Sequence, residues 1–233
     1  MEFAGTTKLI PEYEIFLKCS EFNHLNAKIR DGLISNKEAL RQIQIILPQI
    51  KKYFFQQDSI HKSKLIFPVQ GYYLNAIGGR NGNGYNSSGY NFFDGNKHLG
   101  HPAQDIFIID KNQDCIDDLT KKKVNVLSMS EGIVVATEPI WDTKSKLRGG
   151  KYILIYNPNS NSLLYYAHND TIFVQPCDIV HSGDIIGIVG RTGLNAFKKR
   201  SPTHLHLMQL KLDDNFYPKP EDCYKDLTKS KTK

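Results

Sequence analysis

The sequence predicts a mainly β fold, an antiparallel sheet folded on itself, preceded by an N-terminal α-helical segment. Residues 10–57 place apolar side chains at spacings near three and four, which is typical of amphipathic helices. From residue 124 onward, short apolar runs alternate with turn residues, and no helical pattern separates them. Many short strands without intervening helices are typical of an antiparallel sheet.

The helical segment contains two apolar runs and no cluster of chemically reactive side chains. Asn36 could cap the second run, and Pro48 interrupts it before apolar residues resume. We expect this segment to pack on the domain that follows, and a partner-binding or autoinhibitory role is the alternative. The periodic apolar positions are Phe16, Leu17, Phe22, Leu25, Ile29, Ala39, Leu40, Ile43, Ile46, Leu47, Ile50, Tyr53 and Phe54.

Extended runs follow the helical segment, separated by turn residues. They span residues 65–69, 105–110, 124–128, 132–136, 152–156, 163–168, 182–190 and 202–208. After the first run, residues 78–96 consist mostly of Gly, Asn, Ser and aromatic residues, which predicts a long irregular loop. Its aromatic side chains could line a groove, or the loop could simply be flexible.

This pattern predicts three parts of the chain. Residues 1–62 form a helical accessory segment, residues 63–215 form the domain that carries the site, and residues 216–233 form a basic tail. The 233 residues allow one large domain with such an accessory segment, and 40% hydrophobic residues can build a sizeable core. No apolar stretch approaches the roughly 18 residues that a membrane span requires.

The charge balance is moderately basic. The net charge is +6, and part of it lies in the short runs 121–123 and 198–200 and in the tail from residue 225. This balance suits an anionic polymer, whether cell wall, membrane surface or nucleic acid, and solvated basic loops explain it equally well.

The cysteines and the N-terminus bear on the compartment. Cys19, Cys115, Cys177 and Cys223 are far apart and form no Cys-x-x-Cys pair, so a cysteine-based zinc knuckle is not expected. One or two disulfides outside the cytosol and four buried thiols both stay open. The first residues lack a basic segment followed by an apolar run, so no signal peptide is visible, although one could have been trimmed.

The run 202–208 carries the first candidate site residues. Apolar and polar residues alternate here, so His204 and His206 project from one face of a strand and Leu205 and Leu207 from the other. Two adjacent imidazoles can bind one metal ion, or one can bind the ion while the other handles protons. Two ordinary strand histidines would be the simpler interpretation if no second motif were present.

A second motif lies upstream, at His101 and Asp105. Gly100 and Pro102 at the entrance, and the β-branched run that follows, favour a loop that enters a strand. On such a turn the imidazole and the carboxylate can converge on one point. A nitrogen and a hard oxygen ligand together suit zinc, and three protein ligands with one open position are typical of a catalytic zinc site.

Four motifs therefore occur in a fixed order. They are His101-x-x-x-Asp105, Tyr166-Ala-His168, Gly183-Asp-Ile-Ile-Gly187-Ile-Val-Gly190-x-Thr192-Gly193 and His204-x-His206. Over residues 65–211 the chain resembles the lysostaphin-type, LytM-like zinc metallopeptidases of family M23, which are peptidoglycan endopeptidases. The resemblance implies the folded antiparallel sheet of that peptidase domain and a location in the periplasm or outside the cell.

The resemblance also implies a role for each site residue. His101, Asp105 and His206 would hold Zn²⁺, and His168 and His204 would be catalytic histidines that do not bind the metal. Zinc lowers the pKa of a bound water toward about 7, and a histidine with a pKa near about 6.5 can take and return a proton. No His-Glu-x-x-His motif occurs in the sequence, so histidines must replace the helix-borne glutamate base of other zinc peptidases.

We therefore expect a metalloendopeptidase that hydrolyses peptide cross-links of peptidoglycan. The alternative within the same fold is a catalytically inactive module that binds peptidoglycan or activates an amidase. A basic nucleic-acid binder is a third hypothesis, but no nucleic-acid motif is present and it leaves the histidine spacing unexplained. The bond that is cut could be in a glycine bridge or in a stem-peptide cross-link, and both alternatives stay open.

Overall fold

Two long helices, α1 (Leu9–Arg30) and α2 (Asn36–Phe55), begin the chain in a computed structural model that describes residues 9–56 and 64–233. The buried positions of α1 recur at spacings of three and four, so they form one apolar stripe. They are Ile15, Cys19, Phe22, Leu25 and Ile29. Because Phe16 and Leu17 lie off this stripe, both are exposed, although their apolar character predicted burial.

Helix α2 differs from the sequence prediction at two points. Ser35, not Asn36, is the N-cap, and its hydroxyl accepts a hydrogen bond from the Glu38 backbone N at 3.3 Å. Pro48 lies inside α2 and does not interrupt it. A proline in a helix costs about 3 kcal/mol, but the buried stripe continues on both sides of Pro48, from Ile43 to Phe54, and its packing outweighs that cost.

Ten strands and a short third helix follow. The strands are β1 (Ala103–Phe107), β2 (Asn125–Leu127), β3 (Gly132–Glu138), β4 (Tyr152–Asn157), β5 (Ser162–Ala167), β6 (Thr171–Ile172), β7 (Ile179–Val180), β8 (Ile185–Ile188), β9 (His204–Leu212) and β10 (Pro218–Glu221). Helix α3 is Tyr224–Lys229, and two short 3-10 segments are Leu74–Ala76 and Phe92–Lys97. The predicted run 65–69 forms only isolated bridges, at Ile66 and Val69.

The strands form two antiparallel sheets. A seven-stranded sheet has the order β1-β9-β5-β4-β3-β7, with β10 also paired to β9, and a three-stranded sheet has the order β2-β8-β6. Strand β9 is central because it pairs with β5 along one edge and with β1 and then β10 along the other. The predicted mainly β, antiparallel fold with N-terminal helices is confirmed.

The seven-stranded sheet is covered on both faces. On one face, α1 and α2 pack against alternate residues of β3, β4, β5 and β9, such as Leu154, Leu163, Leu210 and Leu212. On the other face, Leu205, Leu207 and Tyr166 belong to a second core shared with the small sheet. The molecule therefore has three layers, and the helices cover the same sheet face that carries His204 and His206.

The end of the chain packs onto the sheet and does not extend from it. Strand β10 pairs with β9, and Ile66 forms a parallel bridge with Lys231. The predicted division at residue 215 therefore separates residues that are hydrogen-bonded to one another. The predicted boundary at residues 62 and 63 lies outside the described residues, and the division into an accessory segment and a site-bearing domain stays a prediction.

Two expectations concern cysteines and membranes. All four cysteines are free thiols in the structure, with Cys19 and Cys223 buried and Cys115 and Cys177 partly buried. Within the described ranges, no helix combines the length and the apolar character needed to cross a membrane.

Candidate metal and catalytic site

The candidate site lies on the seven-stranded sheet, where β9 runs between β1 and β5. Asp105 of β1 is the direct partner of His206, and so is Ala167 of β5 on the other side. His204 and His206 project from the same face because they are two residues apart on one strand. Strand register therefore brings Asp105 to the histidine pair across a sequence separation of 101 residues.

His101 precedes β1 and is held by the Gly- and Asn-rich loop. Its backbone N donates to Asn86 O at 2.6 Å, and Asn86 N donates back to His101 O at 2.8 Å. Gly100 has a φ of +71°, and a Cβ there would lie 2.7 Å from Asn86 O, so the turn requires glycine. The loop, for which flexibility was the alternative, thus positions the first histidine.

Three donor groups converge at this point. His101 Nε2 lies 3.2 Å from Asp105 Oδ2, and His206 Nδ1 lies 3.0 Å from Asp105 Oδ1. One ligand atom from each residue falls within 4.8 Å of the others. His101 Nδ1 donates to Gly84 O at 3.0 Å, which fixes the ring and leaves Nε2 as the ligand atom. Two imidazole nitrogens and one carboxylate oxygen form a donor set that fits zinc.

The charges of this group depend on one another. Burial by itself would raise the pKa of Asp105, but hydrogen bonds from His101 and His206 hold it below its usual value, so the carboxylate is ionised. The hydrogen bond to Asp105 in turn raises the pKa of His101. A cation bound here would displace the proton that His101 shares with Asp105, so metal binding would release protons.

His204 and His168 lie beside this group and are not part of it. His204 Nδ1 donates to Pro202 O at 2.7 Å, and its Nε2 is 3.8 Å from Asp105 Oδ2. His168 follows β5 with a φ of +67°, and its Nδ1 donates to Thr192 O at 2.7 Å. The rings of His168 and His204 have centroids 4.9 Å apart. The structure thus brings all five predicted site residues together.

Both of these histidines are neutral in the structure's environment. Burial lowers the pKa of His168 well below its usual value, and the neighbouring His204 and His206 lower it further. Burial also lowers the pKa of His204. Since a carbonyl oxygen can only accept a hydrogen bond, Nδ1 carries the proton in each ring, and Nε2 is free to accept one.

A cavity of about 270 Å³ opens above the site. Its lining includes residues that no motif marks: Asn26, Ile29 and Arg30 of α1, Tyr90 and Phe92 of the Gly- and Asn-rich loop, Arg148, and Tyr152 and Tyr165 of the sheet. Tyr90 and Phe92 therefore line a groove, as one interpretation of the loop predicted for its aromatic residues, whereas Phe93 is buried in the core. The sequence did not mark the residues of α1 as part of a site, because the spacing of apolar residues in this helix predicts only packing.

The family comparison covers the second part of the chain. Residues 111–218 match the model of Peptidase family M23, a segment that includes His168, His204 and His206 and begins after His101 and Asp105. No curated protein sequence matches the chain.

Several solved structures are similar to the chain. The catalytic domain of lysostaphin, an antimicrobial peptidase from Staphylococcus simulans, is 21% identical over 64% of this chain and 95% of that one, with a TM-score of 0.39. A putative glycyl-glycine endopeptidase lytM from Ruminococcus gnavus is 21% identical over 84% of this chain and 72% of that one, with a TM-score of 0.47. A zinc-containing peptidase from Vibrio cholerae is 19% identical over 74% of this chain and 41% of that one, with a TM-score of 0.42.

The family match and the ordered motifs lie on one antiparallel domain. Strands β2 to β9 fall within residues 111–218, and β9 pairs directly with the strand that carries Asp105. This domain is therefore similar, over residues 111–218, to peptidase family M23.

Proposed function

We propose that the chain is a zinc-dependent endopeptidase that hydrolyses peptide cross-links of bacterial peptidoglycan. One observation carries the proposal: the donor atoms of His101, Asp105 and His206 lie within 4.8 Å of one another in a cleft, beside two neutral histidines. The side chain of His101 is 38% exposed, so a substrate can reach this group from solvent. The match of residues 111–218 to a peptidase family supports the same reaction class.

His101, Asp105 and His206 would hold the zinc. Zinc in such a site lowers the pKa of a bound water toward about 7 and polarises the carbonyl of a peptide bond. Two features of the chain position these ligands. Gly84 O orients the ring of His101, and the β1–β9 register places Asp105 beside His206. Both features belong to the backbone, so neither depends on which metal ion is bound.

His168 and His204 would handle the protons. Each ring is fixed by a hydrogen bond from Nδ1 to a backbone carbonyl, and each presents Nε2 as an acceptor. One imidazole takes the proton of the attacking water, and an imidazolium returns a proton to the leaving amine. The cavity lining contains no glutamate, so histidines are the bases available there among the described residues.

The substrate class follows from the motifs and agrees with the charge. The ordered motifs resemble those of peptidoglycan endopeptidases, and a net charge of +6 suits an anionic cell-wall polymer. Such a substrate places the protein in the periplasm or outside the cell.

Zinc titration of the metal-free protein tests the proposal. Digestion of purified cell wall should appear in proportion to added zinc and reach a plateau at about one equivalent, because three ligands form one site. The His206→Ala variant, which loses a ligand, is the matched control and should stay inactive at the plateau concentration. Digestion that is independent of zinc would contradict the proposed chemistry, and no digestion at any zinc level would favour the inactive module.

A further inference from the structure

The cavity above the site continues as far as α1. Asn26, Ile29 and Arg30 line the same cavity as Asp105 and His206. This follows from the face that the site and the helices share: His204, His206 and Met208 alternate with buried residues on β9, and Leu210 and Leu212 continue the same row beneath the helices. The cleft therefore has the sheet as its floor and α1 as part of its wall.

Two guanidinium groups line this cavity, and their surroundings differ. Arg30 lies 2.8 Å from Asp31 and 2.6 Å from Glu138, so its charge is neutralised. Arg148 has no ion pair within the described part of the chain. One of its terminal nitrogens donates to His98 O at 2.5 Å, and its remaining guanidinium N–H groups have no protein acceptor among the described residues. Arg148 is thus a half-buried cation with free donors.

A tyrosine hydroxyl lies close to Arg148. The Oη of Tyr165 approaches the backbone of Gly149 so closely that a Cβ there would be 1.8 Å away, and only glycine permits this. The hydroxyl has no hydrogen-bond partner among the residues that the structure describes. Burial raises the pKa of Tyr165 well above its usual value, and the charge of Arg148 opposes that rise, so the hydroxyl is a protonated donor.

The position of these donors is tied to the proposed catalytic site. His168 donates its backbone N to Gly149 O at 2.9 Å, so Arg148 is one residue from the segment that holds His168. The ring of Tyr165 lies 6.3 Å from that of His206. A group bound by Arg148 and Tyr165 would therefore belong to the same substrate molecule as the bond that is cut.

We propose that Arg148, assisted by the Tyr165 hydroxyl, binds a substrate carboxylate, and that the cleft selects a carboxylate-bearing stem peptide over an uncharged glycine bridge. This inference rests on the proposed function. A guanidinium with free N–H groups that lines a cavity matches the geometry and charge of a carboxylate. The carboxylate can come from a chain end or from an acidic side chain, and both present the same oxygens.

The test uses stem-peptide dimers released from cell wall, either with free carboxylates or with all carboxylates converted to amides. The zinc-loaded parent should show a kcat/KM about 10- to 100-fold higher for the acid form, as expected for hydrogen bonds to a charged group. Arg148→Gln should reduce the acid-to-amide ratio to about 1, whereas the exposed control Lys146→Gln should keep it. Dimers amidated only at chain ends distinguish the two carboxylate sources.

Two kinetic results would overturn the inference. One is a parent that cleaves acid and amide forms equally. The other is an Arg148→Gln variant that slows both forms by the same factor, which would mean that Arg148 acts on the reacting bond or on stability.

A binding measurement separates this inference from the proposed function. If the zinc-loaded protein cleaves neither form, the proposed function fails, and calorimetric titration with the same dimers still tests recognition. The parent should then bind the acid form at least about 10-fold more tightly than the amide form, and Arg148→Gln should bind both alike. Equal affinity of the parent for the two forms would overturn the inference whatever the activity.

Discussion

Asp105 and His206 form a directly opposed pair across β1 and β9, with His206 Nδ1 3.0 Å from Asp105 Oδ1. His204, two residues earlier on the same face, reaches Asp105 only at 3.8 Å through Nε2. The two histidines of one motif therefore differ in their distance to the carboxylate. This difference supports the proposal that His206 binds the metal and that His204 transfers protons.

The first prediction concerns metal content. His206→Ala should lower zinc affinity by more than about 100-fold, because even the loss of a residue that only supports a ligand costs about 10- to 100-fold. His204→Ala should retain about one zinc per chain. Zinc would be measured by atomic emission after dialysis against a weak chelator. Equal loss of metal in the two variants would mean that their roles are wrongly assigned.

The second prediction concerns His168. Because its imidazole is proposed to transfer protons and not to bind metal, His168→Ala should keep the zinc and lose about 10²- to 10⁴-fold in the rate of cell-wall hydrolysis. The φ of +67° at this position suits asparagine better than alanine, so His168→Asn provides a second variant with an undisturbed backbone.

The exposed His181 provides the control for this series. His181→Ala should hydrolyse cell wall at the rate of the parent. A His168 variant that binds zinc and cuts within a factor of a few of the parent would remove His168 from the mechanism.

The third prediction concerns the packing of α2 on the sheet. Ile43 is fully buried and Ile45 is 45% exposed, so the same substitution on one helix separates burial from helix propensity. Ile43→Ala should lower the free energy of unfolding by about 2–5 kcal/mol, and Ile45→Ala by no more than about 0.5 kcal/mol. Urea unfolding measures both, and equal effects would show that α2 contributes little to the common core.

The fourth prediction concerns acid stability. Asp117 is buried, and burial alone would raise its pKa, but hydrogen bonds from Tyr72 and from the backbone of Thr120 and Leu119 lower the pKa below its usual value. In the unfolded chain an aspartate carboxyl has a pKa of about 3.9. The lowered pKa of Asp117 therefore stabilises the folded state above that pH, and this stabilisation is lost as the pH falls through the folded pKa.

Asp117→Asn removes the titrating group and keeps the shape of the side chain. The variant should be less stable than the parent by about 1–3 kcal/mol at pH 7, and this difference should shrink between about pH 5 and pH 3. Unfolding at each pH gives the difference directly. A constant difference across this range would mean that Asp117 contributes packing and not charge.

The sequence predicted most of the strands and five residues that the structure brings together, but it did not predict the cleft around them. Alternation along β9 and the short separation between His101 and Asp105 are local patterns, so the order of residues alone reveals them. The convergence of these residues depends on how β1 and β9 pair. The sequence indicated this convergence only because the ordered motifs resemble those of a known family. The motifs could not indicate that β10 pairs with β9 or that Leu227 of α3 joins the second core, because residues 216–233 have a basic composition typical of a tail.

The role of α1 could not be predicted for a different reason. Its buried stripe of Cys19, Phe22 and Leu25 predicts packing, and the structure confirms this packing. Asn26 and Arg30, however, lie at the edge of that stripe, where a polar residue is usually solvated. Only the three-dimensional placement of α1 on the face that carries the histidines brings these residues to the cleft.

The most direct test of the central claim is the identification by mass of the fragments that the zinc-loaded protein releases from purified cell wall. The account predicts that each hydrolysed cross-link gives one fragment with a new amino end and one with a new carboxyl end, and that these fragments are absent when His168→Asn replaces the parent. Cell wall that stays intact with fully zinc-loaded parent protein would contradict the account and would favour a catalytically inactive module of the same fold.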